Sequence, residues 1–363
     1  MPSHRLRSFA VNTLVVIVSL LACLALVEVA IRTFAPQPTG PSQFAFDPDR
    51  GDIPVPGQHG RRTLPGVYDY TYANNSLGLR GQEIDRTDKA RERVLFLGDS
   101  FTYGVGVSDE ETFAAQVGQV LKAQKDGLEL VNAGNPGSGT DYALKFYRTL
   151  GTALRPRLVA LFFFASCFER NEWAKYYAVN EQGGIQETSL QNSVGSRKQL
   201  LSGNKFYNWL ISWSHTANLL KQFAIYLLLQ GRLPGDSATT AVVSHIRNNG
   251  SSNEANIRIT GILLGALRDA VVADKADFIV FYVPPRENVA FFREKGAPAR
   301  DEAALGRITA DLNIPFFSLT PVLAGLNLDV SQLYFTEGHW NATAHKAVAA
   351  YAADIVAGRL QTK

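Results

Sequence analysis

A serine and a histidine far apart in the chain are the residues whose types and neighbours suggest chemistry. Ser100 lies in the segment GDSFT at residues 98–102, and His339 lies in EGHWN at residues 337–341. A serine hydroxyl attacks a carbonyl when a base takes its proton, and histidine is the usual base. A carboxylate fixes the tautomer of that histidine and stabilises its charged form. The sequence therefore predicts a nucleophile at Ser100, a base at His339 and an orienting carboxylate at Glu337.

The segment before Ser100 predicts a buried strand that presents the serine. Residues 94–97 form a short, continuous apolar run, as is usual in parallel sheets. In open α/β sheets, ligands bind at the carboxyl ends of strands, where backbone N–H groups can stabilise an oxyanion. By itself such a serine is more often a helix cap, so the interpretation depends on His339. The G-x-S-x-G elbow of α/β-hydrolases is excluded because residue 102 is threonine.

Alternating strand and helix patterns predict the architecture around these residues. Strands are predicted at residues 94–97, 128–131, 158–164, 278–283 and 315–318. Helices are predicted at residues 110–125, 141–154 (with Asp141 as a cap), 256–273, 300–312 and 342–358. This order indicates an α/β fold with a mostly parallel sheet and helices on both faces. The carboxyl ends of the parallel strands would then bring the chemical residues to one edge of the sheet.

Two regions depart from the alternation. Residues 36–90 are rich in Pro, Gly, Asn and Arg, and we expect a linker and an irregular lead-in that packs on the main domain. Residues 172–255 contain an aromatic, apolar stretch at 206–229 and a polar stretch at 235–253. We expect a helical insertion packed beside the active site. A second membrane span is disfavoured, because residues 206–229 include a histidine and a lysine.

The N-terminus predicts a membrane anchor. Residues 9–27 carry no charge, and the run is about as long as a helix that crosses a hydrocarbon core. His4, Arg5 and Arg7 precede it, which favours a cytoplasmic N-terminus and an extracytoplasmic domain, periplasmic or at the cell surface. A cleaved signal peptide is the alternative, but its apolar core is usually shorter. The predicted domains are therefore residues 1–35 (anchor), 36–90 (lead-in) and 91–360, with the insertion at about 172–255.

Composition excludes several other classes of protein. Apolar residues make up 46% of the 363-residue chain, which predicts a substantial core. The net charge of +3 comes without long runs of like charge, so nucleic acid is not an expected partner. The two cysteines, Cys23 and Cys167, are not expected to pair, and no Cys/His spacing is typical of zinc. We expect neither a metal nor an organic cofactor, and we expect His345 to be structural.

These motifs resemble the SGNH/GDSL hydrolases. The first block of that family holds the nucleophile in a GDS motif, matched by residues 98–100, and the fourth holds a carboxylate and a histidine, matched by Glu337 and His339. The second block supplies a glycine N–H to the oxyanion hole, and Gly134 matches it in Asn-Ala-Gly at residues 132–134. The resemblance covers about residues 75–360. It implies a three-layer α/β/α, flavodoxin-like fold.

The third block departs from the family pattern. Members carry an asparagine just after the third strand, where this chain has Ser166. Ser166 can donate one hydrogen bond, and Asn171 is the alternative donor. The resemblance implies an oxyanion hole formed by Ser100, Gly134 and Ser166 or Asn171, with a supporting role for Asp99. Losing one oxyanion donor typically costs about a hundred- to a thousandfold in rate.

The resemblance implies a serine esterase. Ser100 would attack an O-acyl ester, most simply an O-acetyl ester, of an envelope polysaccharide or lipid, and water would release the acyl group. Two alternatives stay open. The same triad could pass the acyl group to a sugar hydroxyl, as in related polysaccharide O-acetyltransferases, or the altered third block could leave a domain that only binds glycans or a partner.

Overall fold

The computed structural model of the chain describes residues 2–88, 90–172, 176–180, 183–188, 204–229 and 254–361, without the side chains of residues 2–6, 172 and 225–229. The polar stretch of the expected insertion, residues 235–253, lies outside the described residues.

Strands are numbered in chain order. They are β1 (Phe44–Asp47), β2 (Gly51–Pro54), β3 (His59–Leu64), β4 (Tyr68–Ala73), β5 (Glu92–Gly98), β6 (Leu128–Gly134), β7 (Pro156–Phe164), β8 (Tyr177–Val179), β9 (Ile185–Glu187), β10 (Asp277–Val283) and β11 (Phe316–Ser318). The α-helices are α1 (Pro2–Phe34), α2 (Ser100–Tyr103), α3 (Phe113–Gln124), α4 (Thr140–Phe146), α5 (Thr152–Leu154), α6 (Cys167–Glu172), α7 (Lys205–Trp213), α8 (His215–Leu229), α9 (Glu254–Ala273), α10 (Arg286–Lys295), α11 (Arg300–Asp311), α12 (Thr320–Ala324) and α13 (Ala342–Gln361).

Five parallel strands form the central sheet, in the order β11-β10-β7-β5-β6. Their side chains alternate between two cores, so that Leu95 and Leu97 of β5 face one and Val94 and Phe96 face the other. Helices α4, α9 and α11 contribute to the first core, and α3, α12 and α13 to the second. The α/β fold class with a parallel sheet between two helical layers is therefore confirmed.

The segment before the sheet is more regular than expected. It contains two antiparallel hairpins, β1–β2 and β3–β4, so the prediction of an irregular lead-in is wrong for these residues. Tyr70 and Tyr72 alternate with exposed residues and pack against Tyr103 of α2. The buried guanidinium of Arg80 bonds to the carbonyls of Tyr103, Gly104 and Val107. The lead-in thus contacts the segment that follows Ser100.

The first helix stands apart from the core. The most apolar 18-residue window within residues 7–34 of α1 has a mean hydropathy of 2.9, and none of that window is buried, so α1 is long and apolar enough to cross a membrane. Helices α7 and α8 were expected beside the active site. Instead, α8 packs mainly on α1, and α7 packs on α8.

Candidate active site

The backbone just before Ser100 is packed too tightly for a side chain at Gly98. A Cβ atom on Gly98 would lie 2.1 Å from Thr102 Oγ1 and 2.9 Å from the Phe162 carbonyl oxygen. Strand β5 therefore ends tightly against β7 and turns directly into α2. The Asp99 carboxylate caps this short helix by accepting the Phe101 N–H at 3.0 Å. Ser100 is the first residue of α2 and lies at the carboxyl end of the strand.

The structure brings Ser100, His339 and Glu337 together. His339 Nε2 lies 2.8 Å from Ser100 Oγ, and His339 Nδ1 lies 2.8 Å from Glu337 Oε2. The same Glu337 oxygen accepts the backbone N–H of His339 at 2.9 Å. The turn is closed by the bond from the Phe335 N–H to the His339 carbonyl. With Nδ1 protonated toward the carboxylate, Nε2 is free to accept the serine proton.

Aromatic rings hold the imidazole in this position. The ring of Phe101 lies 5.1 Å from that of His339, and the buried ring of Trp340 meets Phe101 edge-on at 4.9 Å. Tyr68 of the β3–β4 hairpin packs edge-on against Phe335, 5.9 Å away, next to the histidine turn. The lead-in therefore forms part of the surroundings of the site.

An arginine that the sequence interpretation missed supports the nucleophile segment. Arg170 Nη1 lies 2.7 Å from Asp99 Oδ2 and donates to the Ser138 carbonyl at 3.0 Å. Burial acts to lower the pKa of Arg170, but the charge of Asp99, its hydrogen bond to Arg170 and the other nearby acidic groups together outweigh burial, and the pKa is raised. Asp99 thus joins the start of α2 to α6 through Arg170. No motif pointed to Arg170, because its partner lies 71 residues earlier.

Gly134 lies near Ser100 but its N–H is already used. That N–H donates to Asn132 Oδ1 at 3.0 Å. A Cβ atom on Gly134 would lie 2.2 Å from the Tyr103 nitrogen, so the glycine is needed where β6 approaches α2. In this geometry Gly134 serves packing and is not available to an oxyanion.

The side chain of Asn171 is also already hydrogen-bonded to other residues. Its side-chain NH₂ donates to Thr140 Oγ1 and Thr260 Oγ1, and its Oδ1 accepts the Thr140 N–H. Both amide protons of Asn171 are therefore committed, and none is left for an oxyanion.

Two other groups remain available near the strand ends. The Ser166 hydroxyl is buried and has no hydrogen-bond partner among the described residues. In the loop after β6, Gly137 has a φ of +82°, and its N–H has no acceptor among the bonds of the described residues. That loop abuts the end of β5, because the Asn135 N–H donates to the Gly98 carbonyl at 2.9 Å. The Pro-Gly pair at residues 136–137 is the sequence signal that could have drawn attention to this turn.

Cys167 and His345 are both buried, and burial shifts the pKa of each side chain. Burial, and next the Asp99 charge, raise the pKa of Cys167 to about 12, which disfavours a thiolate nucleophile. Burial lowers the pKa of His345 to about 3, and its Nδ1 accepts the Phe113 N–H at 3.1 Å. His345 thus joins α13 to α3 as a neutral residue, as expected for a structural histidine. Among the described residues, no three His, Cys, Asp or Glu side chains are placed to hold a metal ion.

No family model matches the chain, and no curated protein matches it significantly. Several solved structures are similar to it. A two-domain esterase active on acetylated mannans is 14% identical, with a TM-score of 0.41, over 77% of this chain and 54% of that one. A lipase/acylhydrolase from Enterococcus faecalis is 14% identical, with a TM-score of 0.41, over 74% of this chain and 96% of that one. A psychrotrophic esterase from Pseudoalteromonas is 13% identical, with a TM-score of 0.41, over 74% of this chain and 99% of that one. These values are too low for the likeness to assign an activity.

Proposed function

We propose that this chain is an SGNH/GDSL-type serine esterase in which Ser100, His339 and Glu337 form the catalytic triad. The observation that carries the proposal is the continuous line from Ser100 Oγ through both ring nitrogens of His339 to the Glu337 carboxylate, with 2.8 Å at each step. Ser100 follows the end of a strand, whereas Glu337 and His339 lie in a distant turn. The fold does not by itself require these three side chains to be in contact. A serine that only caps a helix needs no histidine at hydrogen-bond distance.

The reaction follows from this geometry. Ser100 Oγ attacks the acyl carbonyl while its proton passes to His339 Nε2, and the resulting imidazolium is stabilised by Glu337. The tetrahedral intermediate breaks its bond to the alcohol oxygen, which takes the proton from His339. Water then attacks the acyl-Ser100 ester, with His339 accepting its proton and returning it to Ser100. The products are a carboxylic acid and a free hydroxyl.

The developing oxyanion needs donors at the strand ends. We assign this role to the backbone N–H groups of Ser100 and Gly137, supported by the Ser166 hydroxyl. The Gly137 N–H and the Ser166 hydroxyl lack acceptors among the described residues, and Ser100 is the first residue of α2, where an N–H has no acceptor within the helix. Gly134 and Asn171, whose protons are committed elsewhere, are not included. The unsatisfied buried hydroxyl of Ser166 is costly in the resting protein but can serve a charge that appears in the transition state.

The setting suggests the class of substrate. Helix α1 would hold the domain at the outer face of a membrane, with the N-terminus in the cytoplasm. Acylated glycans and lipids of the cell envelope lie within reach of a domain tethered in this way. We therefore propose an O-acyl ester, with acetyl as the simplest case, as the natural substrate.

Turnover of p-nitrophenyl acetate by the full chain in detergent tests the proposal. Ser100→Ala should lose about a thousandfold or more of kcat and all labelling by a fluorophosphonate. Ser138→Ala, which changes the serine in the neighbouring loop, should keep the label. Absence of both turnover and labelling in the unaltered chain would refute the proposed function. Analysis of products with an added oligosaccharide acceptor would separate hydrolysis from acyl transfer.

A further inference from the structure

Helix α7 carries an exposed aromatic face. Phe206, Trp209 and Trp213 are spaced three and four residues apart, which places them on one side of the helix. They are 68%, 55% and 42% exposed, and neighbouring rings lie 5.7 and 5.3 Å apart. Ile211, two residues after Trp209, is buried. Three adjoining large aromatic side chains in water would be unfavourable, so this face is suited to a partner.

Helix α8, which packs on α7, carries further exposed apolar side chains, Leu220 and Phe223, at 61% and 54% exposed. We call Phe206, Trp209 and Trp213 of α7 the aromatic face.

Polar contacts fix the α7–α8 corner against α1. The Glu28 carboxylate accepts hydrogen bonds from the Ser214 hydroxyl and from the N–H groups of His215 and Thr216. It therefore caps the first turn of α8, which favours a negative charge at that end. The Arg32 guanidinium donates to the Trp213 carbonyl at 3.1 Å.

These contacts set the height of the corner relative to a membrane. Glu28 directly follows the uncharged run at residues 9–27, and Arg32 lies five residues beyond that run. At about 1.5 Å per residue, the two side chains start about 2 Å and 8 Å past its end. The headgroup layer on each side of a bilayer is about 5–8 Å thick. Trp213, held by Arg32, therefore lies at the level of the headgroups if the run fills the hydrocarbon core.

We propose that the aromatic face lies in the headgroup layer of the membrane that α1 crosses. Tryptophan favours this layer because its ring is apolar and its N–H can reach water or lipid oxygens. The inference rests on α1 as the membrane span and not on the esterase reaction. A bilayer is favoured over a protein partner because the corner that carries the face is hydrogen-bonded to Glu28 and Arg32 of α1, just past the run that would meet lipid.

Quenching of tryptophan fluorescence by brominated lipids tests the inference. The full chain is reconstituted in phosphatidylcholine vesicles with bromines either near the headgroup or near the end of the acyl chain. We expect shallow bromines to quench more than deep ones, and the double variant Trp209→Phe/Trp213→Phe to lose most of that quenching. Trp340 is fully buried, so it should stay unquenched and serves as the internal control.

Four results would overturn the inference. One is equal quenching in the unaltered chain and the double variant, and another is stronger quenching by deep bromines. The third is that Trp209 and Trp213 are protected from quenching while the chains can be cross-linked into pairs. That result would make the aromatic face a contact between two copies of the chain. Carbonate-resistant flotation of the vesicles reports separately on α1, and its loss would also remove the inference. Turnover of p-nitrophenyl acetate by the double variant should be unchanged, so failure of the esterase proposal would be seen independently.

Discussion

Asp99 Oδ2 and Arg170 Nη1 lie 2.7 Å apart and join the start of α2 to α6. The carboxylate is 1% exposed, and its other oxygen caps the helix that begins with Ser100. Ser100 is therefore positioned by an ion pair as well as by His339.

Removing the arginine should leave this carboxylate buried without its charged partner. We expect Arg170→Met to lower the free energy of unfolding by about 3–5 kcal/mol, because an uncompensated buried charge is costly. The double variant Asp99→Asn/Arg170→Met should recover part of that loss. Urea titration of the chain in detergent, followed by near-UV circular dichroism, measures both. A loss below about 1 kcal/mol in the single variant would show that the pair contributes little.

Replacing Glu337 by glutamine should remove the charge that stabilises the imidazolium. We expect kcat to fall by about a hundred- to ten-thousandfold with little change in KM, since the effect is greatest in the transition state. Glu337→Asp keeps the charge on a shorter side chain and should retain more activity. Steady-state kinetics with p-nitrophenyl acetate distinguish these outcomes. A glutamine variant within threefold of the unaltered kcat would remove Glu337 from the triad.

Ser166→Ala separates a catalytic hydroxyl from a structural one. The hydroxyl is buried without a partner among the described residues, so its removal should leave the free energy of unfolding unchanged or raise it. If it donates to the oxyanion, kcat should fall by about a hundredfold. Stability is measured by urea titration and kcat by ester turnover. Unchanged kcat would leave the backbone N–H groups as the only proposed donors.

His345 should make stability depend on pH. Because burial lowers its pKa from 6.5 to about 3, the unfolded chain binds the proton more tightly than the folded chain. The stabilisation is complete above pH 6.5 and is lost as the pH falls from 6.5 toward 3, at up to about 1.4 kcal/mol per unit. Urea titrations between pH 4 and pH 7 should give a shallower dependence for His345→Gln, which takes up no proton. Parallel curves for the two proteins would contradict this assignment.

The central sheet could be predicted because its strands are buried on both sides. A parallel strand covered by two helical layers needs a continuous apolar run, and residues 94–97 and 158–164 show that pattern directly. The β3–β4 hairpin was missed although Tyr68–Ala73 alternates buried and exposed residues. The polar and glycine-rich surroundings obscured that signal.

Helix boundaries depended on contacts that the sequence does not display. Asp141 was expected to cap a helix over residues 141–154, but Gly139 is the cap and a π-helical turn, Tyr147–Gly151, interrupts the helix. Helix α10, Arg286–Lys295, was not predicted because half of its ten residues are charged, which leaves only a short apolar pattern.

The candidate site could be predicted in part from the sequence. Serine, histidine and a nearby carboxylate have chemistry that follows from residue type, so Ser100, His339 and Glu337 could be named. Residue type does not show whether a hydrogen-bond donor is already bonded to another group. Only the three-dimensional arrangement shows that Gly134 and Asn171 have already given their protons to Asn132, Thr140 and Thr260.

The distance along the chain between Ser100 and His339 affects when the protein could become active. The two residues are 239 positions apart, and His339 directly precedes α13, which packs on α3. A nascent chain that has been synthesised as far as β10 contains Ser100 but not yet His339, the proposed base. On the proposed mechanism, such a chain would stay inert throughout most of its synthesis and would gain hydrolytic power only when α13 docks.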